Sequence, residues 1–326
     1  MGIAPGRWQY SNMAQRNPLE DKLVVMIGGS GFIGTHVAQD LLDRGARLRI
    51  CSRHPEKAFK LKPLANLGQL QFARCNAASK DSLAACIKGA DAVVYLVGTF
   101  GKDQKALQAE GAGHAAAAAQ AEGADAFVYL SSIGADAADE ESGYASTKGM
   151  GEEAVLGAFP KATVLRPSVV FGEDDDFINM FAGLIQALPA VPVFGPDAKL
   201  QPVWVDDVAE ALGNALADPG KHGGKTYELA GPEVLTMMDL HERIAAGQGR
   251  NPGLIPVPDV LSGIFAALPG TPMNADQWRL LKRGSVASGD YPTAEKLGVS
   301  PKPLSLFLDK WMVRYRKHGR FTVQSA

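Results

Sequence analysis

Two groups of residues in this 326-residue chain have the types and spacing to do chemistry. The first is the run KLVVMIGGSGFIG, Lys22 to Gly34, in which an apolar strand pattern leads straight into a glycine-rich turn and then an amphipathic helix pattern. Gly28 and Gly29 permit the tight turn, Gly31 lets backbone approach a pyrophosphate, and Gly34 lets the helix pack closely on what precedes it. A helix start in that place offers unpaired N–H groups and a positive dipole end to phosphate. Between the first strand and first helix of a βαβ series, the glycines predict a dinucleotide site. The second group is Tyr144 and Lys148, four apart and so on one face of a helix. A free tyrosine titrates near about 10 and needs such a neighbour to exchange protons near neutrality.

A third position bears on which dinucleotide is held. The second strand pattern ends at Cys51-Ser52-Arg53, where an NAD site presents an acidic residue to the ribose 2′-hydroxyl, and no acid stands there. Arg53, helped by Ser52 or Lys57, has the fork to pair with a 2′-phosphate, so NADP(H) is expected over NAD(H); the alternative is a solvated surface arginine.

These residues need a scaffold. Strand patterns run at Leu23 to Ile27, Arg47 to Cys51, Leu70 to Cys75, Ala92 to Val97, Ala126 to Leu130 and Ala162 to Leu165. Helical patterns lie between them at about Phe32 to Arg44, Ser82 to Lys88, Gln104 to Ala121 and Tyr144 to Gly157. The alternation predicts an α/β fold, a Rossmann-type doubly wound parallel sheet. The alanine run 115–119 reads as a close-packed crossover helix, alanine being the best helix former. After Gly172 prolines break the rhythm, and a smaller, irregular C-terminal α/β region is expected. Two pieces still return to the sheet, a helix at Asp206 to Leu216 and a strand at Lys225 to Leu229. The expected division is a flexible leader at 1–21, a dinucleotide-binding unit at 22–172 with returns at about 201–230, and a substrate-side or partner-side region at 173–326.

Composition excludes more than it selects. A net charge of −2 with 21% charged residues gives no global attraction to nucleic acid or anionic membrane. Cys51, Cys75 and Cys86, with six scattered histidines, show no metal-ligand spacing, and no metal is expected. No stretch is apolar enough to span a membrane and Met1 to Lys22 lacks signal-peptide order, so the expected location is cytoplasmic, or attached to a membrane only through another protein or the chain's own surface.

With GGSGFIG and the YASTK of Tyr144 to Lys148 in place, the chain resembles the short-chain dehydrogenase/reductase superfamily, on its extended or atypical side. The runs AFPKATVLRPSVVFGEDDDFINMFAGL (Ala158 to Leu184), WVDDVAEAL (Trp204 to Leu212), YELAGPEVLTMMDL (Tyr227 to Leu240) and LGVSPKPLSLFLDKWMVRYRKHGRF (Leu297 to Phe321) resemble more closely the accessory NAD(P)H-binding subunit of respiratory complex I, alpha subcomplex subunit 9, and its bacterial relatives. The likeness spans nearly everything from Lys22 onward. In the superfamily it implies, Tyr144 is the proton donor or acceptor, Lys148 lowers its pKa and holds the nicotinamide ribose, and Ser132 substitutes as third member because Ile133 stands where a Ser or Thr is common. Expected cofactor contacts extend from Gly28, Gly31 and Gly34 to Ser30, Phe32 and Ile33, then to Arg53, Asn76 and Ala77, to Leu96, Val97 and Gly98, and to Ser131, Pro167 and Val169. Asn76-Ala77 replaces the usual Asp-Val or Asp-Leu at the adenine, and Gln108 replaces a usual Asn; both fit a relaxed site.

The acidic run Glu173 to Asp176 reads as a solvated loop or helix start rather than a metal site, and Asp206-Asp207 as helix caps. The tail segment with Lys310, Arg314, Arg316, Lys317 and Arg320 beside Trp311, Met312 and Tyr315 fits either contact with lipid headgroups or a partner's acidic face, or a docked terminal helix. The resemblance implies an NAD(P)H-binding accessory subunit or assembly factor of complex I. The alternative is an active NADP-dependent oxidoreductase or nucleotide-sugar epimerase/dehydratase.

Overall fold

The computed structural model describes residues 17–268 and 273–316. Residues 1–16 of the expected leader, and Lys317 and Arg320 of the tail, lie outside them. Of the leader's described end, Leu19 is buried in the core, so the chain is already packed before the first strand.

Six strands follow the sequence pattern: β1 (Leu23–Ile27), β2 (Arg47–Ser52), β3 (Leu70–Arg74), β4 (Ala92–Tyr95), β5 (Ala126–Leu130) and β6 (Thr163–Pro167). Between them run α1 (Phe32–Asp43), α2 (Lys80–Ile87), α3 (Gly111–Glu122) and α4 (Gly143–Ala158). Every residue of β1, β4 and β5 is buried, as continuous apolar strands covered on both faces must be.

The remaining half is built of short pieces: β7 (Val170–Phe171), α5 (Asp176–Ala187), β8 (Ala190–Phe194), β9 (Lys199–Leu200), β10 (Val203–Trp204), α6 (Val205–Ala217), α7 (Pro219–His222) and β11 (Thr226–Leu229). After them come β12 (Leu235–Thr236), α8 (Met237–Gly247), β13 (Gly253–Val257), α9 (Asp259–Ala267), α10 (Ala275–Arg283) and α11 (Ser305–Met312). The two expected returns are α6, packed on α1, and β11, which pairs parallel with β6.

The main sheet is seven-stranded and parallel throughout, in the order β11-β6-β5-β4-β1-β2-β3. Strand order reverses at β1, next to β4, and the crevice beyond the carboxyl ends there is where such sheets bind ligands. One core lies under α1 and α6, with Val24, Leu41, Leu48 and Leu212. A second lies under α2, α3 and α4, with Val25, Leu83, Ala115 and Phe127. A third, away from the sheet, joins α5, α8 and α11 through Ile185, Leu240, Ile244 and Trp311.

The third crossover departs from its pattern. Its first turn, Lys105–Glu110, is π-helical and leads into α3. Tyr129 on β5 donates its hydroxyl to the Gln108 carbonyl at 2.9 Å, and Tyr95 on β4 donates to that of Leu107, so side chains satisfy carbonyls that a widened turn leaves over. Gly111 is needed beside it, because a Cβ there would lie 2.3 Å from the Ala77 carbonyl oxygen. Among the described residues no helix is long and apolar enough to cross a membrane, and the three cysteines are buried and unbridged.

Candidate functional site: a cleft at the carboxyl edge of the sheet

The glycine loop is shaped by three separate requirements. Gly28 sits at φ +85°, the left-handed region, with its N–H donated to the Cys51 carbonyl at 2.8 Å. A Cβ on Gly34 would lie 2.7 Å from Gly29 backbone, so α1 starts pressed against the loop itself. Gly31 is the N-cap of α1 in extended conformation, and a Cβ there would meet only the Gly28 carbonyl, at 3.6 Å. No side chain caps α1 and no acid stands in its first turn, which leaves its leading N–H groups facing the cleft. Ser30 turns aside and donates its hydroxyl to that of Ser52 at 2.8 Å.

The ends of β2 and β3 hold a pair of cations. Arg53 is exposed, and Arg74, also exposed and paired in register with Ser52, donates Nε to the Arg53 carbonyl at 3.3 Å. Arg74 was not among the residues expected from sequence; only strand register puts it beside Arg53. The nearest acid in sequence, Glu56, accepts from His54 at 3.1 Å. Asn76 is exposed, and its Oδ1 accepts from the Ala78 N–H at 3.1 Å, which leaves its amide nitrogen and one lone pair of Oδ1 for a ligand. Ala77 is buried.

Tyr144 and Lys148 occupy the first turns of α4, whose N-cap Ser142 accepts from the Ala145 N–H. The Lys148 ammonium is buried and donates to two backbone carbonyls, Leu130 at 2.8 Å and Val97 at 3.2 Å. Burial pulls its pKa down to about 7, against the opposing field of Glu152. Burial also pushes the Tyr144 phenol up to about 12, with the Ser132 hydroxyl as its hydrogen-bonding neighbour holding it down. Both side chains converge on Gly98, where a Cβ would stand 3.8 Å from Lys148 Nζ and 3.8 Å from Tyr144 Oη. Phe100 stacks on the Tyr144 ring with centroids 4.4 Å apart. Gln108, fully buried, locks the neighbourhood by accepting from the Thr99 N–H at 3.3 Å and donating to Thr147 at 3.0 Å.

The glycine loop, Tyr144 and Lys148 line one cleft of about 420 Å³, whereas Ser30, Arg53, Asn76 and Ala77 are not in its lining. Of the expected residues it gathers Gly28, Gly31, Phe32, Ile33, Gly34, Leu96, Gly98, Ser131, Ser132, Tyr144, Lys148 and Pro167. Ser131 contributes little beyond its backbone, since its hydroxyl is donated to the buried Glu152 that Arg166 grips at 2.6 and 2.8 Å. Val97 offers its carbonyl to Lys148 rather than a side chain to the cleft. Thr99, Phe100, Ser168 and Val170 line it without having been expected. A loop following β4 carries the first two, and no local pattern marks such positions. Val169 instead faces a second cavity of about 370 Å³, which shares Phe100, Ser132, Tyr144, Pro167 and Ser168 with the cleft.

The acidic run serves a helix start. Asp175 caps α5, accepting from Ile178 at 2.6 Å and Gly172 at 3.0 Å, while Asp174 reaches His36 at 3.1 Å. Among the described residues no cluster of His, Cys, Asp and Glu could hold a metal ion. Asp206 and Asp207 do not cap α6, contrary to expectation; its N-cap is Trp204 with no side-chain cap. They stand inside the first turn and point away, Asp206 to His36 at 2.6 Å and buried Asp207 to Lys302 Nζ at 2.6 Å, because ion-pair partners outcompete the helix's own N–H groups. In the described part of the tail, Trp311 and Met312 are buried, Tyr315 donates to Asn179 at 2.8 Å and Arg316 to the Gly247 carbonyl at 2.9 Å.

Residues 28–169 match the family model described as NAD(P)H-binding. The chain carries an NAD(P)H-binding domain. Over 325 aligned residues it is 28% identical to the mitochondrial NADH dehydrogenase (ubiquinone) 1 alpha subcomplex subunit 9 of Arabidopsis thaliana, covering 93% of this chain and 80% of that protein. The subunit of the same name from Mus musculus is 29% identical, with 93% and 83% covered. The chain is homologous to these complex I subunits. Among solved structures, the UDP-glucose 4-epimerase of Thermus thermophilus in complex with NAD superposes with a TM-score of 0.68 at 22% identity, covering 90% of this chain and 99% of that one. That likeness establishes the Rossmann-type fold of the domain.

Proposed function

We propose that this protein holds NADP(H) at the sheet edge as an accessory or assembly subunit of respiratory complex I. The observation that carries the binding reading is the uncapped start of α1, aimed past Gly31 into a cleft whose far wall presents Tyr144 and Lys148. The cleft fits a nicotinamide dinucleotide: α1 and Gly31 receive the pyrophosphate, Gly98 leaves space beside Lys148 for the ribose, and Arg53 and Arg74 supply the paired charge a 2′-phosphate needs. Preference for the phosphorylated cofactor rests on those two arginines and on the absence of an acid at Ser52-Arg53-His54.

Association with complex I is supported by homology along nearly the whole chain, including the regions outside the dinucleotide domain. On this reading the protein works at the cytoplasmic face of the inner membrane, without a spanning helix of its own among the described residues. In the tail, Trp311 and Met312 are taken up by the third core, so the tail favours a docked helix over a lipid contact. Mild detergent extraction followed by native gel separation tests the assignment. Co-migration with complex I activity, and nucleotide retained through purification, are expected; an entirely free pool would refute it.

A second reading, an active oxidoreductase, is favoured by the convergence of Tyr144, Lys148 and Ser132 next to a further cavity. A bound nicotinamide would supply hydride transfer there. Tyr144 would hold and deliver the proton, and Lys148, near neutrality in pKa, would set how readily it does so. The nucleotide-sugar version has no support in the cavity wall, which among the described residues offers no charged side chain for a diphosphate.

A further inference from the structure

The second cavity, about 370 Å³, is of the size that holds a small molecule, and its lining is unusual for a site beside a dinucleotide. Among the described residues no lining side chain carries a charge. Its walls are Met180 and Phe181 of α5, Phe194 of β8, Phe265 of α9, and Leu280 and Leu281 of α10. Several of the few polar atoms along the walls are already engaged. Ser168 donates to the Ser285 carbonyl at 2.7 Å, and Gln277 Oε1 accepts from the Asn274 N–H at 2.9 Å. At the inner end stand Ser132 and Tyr144, hydrogen-bonding neighbours that the cavity shares with the dinucleotide cleft.

From this wall we infer that the cavity binds a long-chain lipid carrying a ketone or hydroxyl near one end, with that oxygen at Ser132 and Tyr144 and the chain along α5, α9 and α10. The inference rests on the dinucleotide reading of the adjoining cleft and names the ligand class of the same site. A diphosphate would lose its hydration here and find no charged partner among the described residues, and a sugar ring would have more hydroxyls than Ser132, Tyr144 and Gln277 can pair, at a cost of several kcal/mol per unpaired buried group by order of magnitude, whereas each buried methylene gains about 0.8 kcal/mol.

The helix at the cavity rim gives the route. α9 brings Phe265 to the cavity and buries Ala266, while Val260 and Ile264, four apart on another face, are 74% and 56% exposed, and Leu261 is 55% exposed. A helix apolar on both sides is unsuited to water. Continuous with an apolar cavity, its outer face lies against a lipid bilayer, and the ligand enters from that phase.

The test uses the full chain and 2-hexadecanone labelled with carbon-13 at the carbonyl, delivered either from cyclodextrin or from phosphatidylcholine vesicles, with UDP-glucose as comparison and NADPH affinity measured on every sample. Saturable binding of the ketone and none of UDP-glucose is expected, with the carbonyl stretch moved to lower frequency and that shift reduced in Ser132→Ala. Met180→Trp, which fills the cavity, should weaken ketone binding by about tenfold or more, a change of about 1.4 kcal/mol, and leave NADPH affinity unchanged. Val260→Asp with Ile264→Asp should slow uptake from vesicles and not from cyclodextrin. Ketone affinity unaffected by Met180→Trp, or UDP-glucose binding in place of ketone, overturns the ligand class; equal uptake from vesicles by the double variant overturns the membrane route. Ketone binding without NADPH binding would overturn the cofactor reading alone.

Discussion

At the scale of single residues, the cofactor question narrows to the guanidinium groups beyond β2 and β3. Arg53 was legible because it replaces an expected acid next to a strand end. Arg74 was not, since only the parallel register of β3 on β2 brings it opposite Ser52. Both are exposed, so neither should matter to folding, and their charges are free to act on a ligand. Arg53→Ala is expected to lower NADPH affinity while leaving NADH affinity nearly unchanged, by about 1.5–3 kcal/mol if the pairing is charge-assisted. Arg74→Ala should act in the same direction. Titration of each variant with both nucleotides checks this; an unchanged ratio in both would overturn the 2′-phosphate assignment.

At the scale of elements, three separate segments meet at His36 on α1, which hydrogen-bonds Asp206 in the first turn of α6 and Asp174 in the loop before α5. Burial works against the imidazolium, but hydrogen bonds and fields from Asp206 and Asp174 outweigh it and raise the His36 pKa. Asp206 is held below the usual carboxylate range chiefly by its hydrogen bond to His36. A raised histidine stabilises the fold fully below its unfolded pKa of about 6.5 and loses that contribution as pH rises through the folded value; a lowered aspartate contributes above about 3.9. The tie is therefore complete between about pH 4 and 6.5. Thermal melts of wild type and His36→Gln should differ most near about pH 5.5, inside that window, and converge as pH rises through the raised folded-state pKa of His36. A constant gap would show that the ring acts by packing alone.

The elements themselves read clearly where one periodicity was at work. The apolar runs of β1 and β5 gave their bounds residue for residue, because a strand buried on both faces has to be apolar throughout. The π-helical opening of the third crossover was invisible, because what stabilises it are hydroxyls of Tyr95 and Tyr129 arriving from other strands. Asp206-Asp207 misled for a related reason: a local rule proposed caps, and distant His36 and Lys302 claimed the carboxylates.

At the scale of the whole molecule, the C-terminal half aims the site in the N-terminal half. Asp276 on α10 accepts from the Tyr144 N–H at 2.9 Å, from the Ser142 hydroxyl at 2.7 Å and from Gln104 at 3.3 Å, so it clamps the start of α4. Asp276→Ala removes all three bonds and should cost about 1–3 kcal/mol in denaturant melts while loosening Tyr144. The expected signature is faster amide exchange at residues 143–146 with NADPH affinity reduced only modestly. Unchanged exchange there would mean α4 is positioned without its distant clamp. Nothing local to Asp276 foretold this role, since it sits at a sequence distance of more than a hundred residues from what it holds.

Lys148 carries a consequence of another kind. By donating to the carbonyls of Val97 and Leu130, its ammonium rivets the open ends of two adjacent strands, β4 and β5, together beneath the cleft. A protein that only holds a nucleotide needs that rivet as much as one that turns the nucleotide over. Lys148 thus belongs to the scaffold as well as to the cleft, and its presence alone does not separate a nucleotide that is held from one that is consumed.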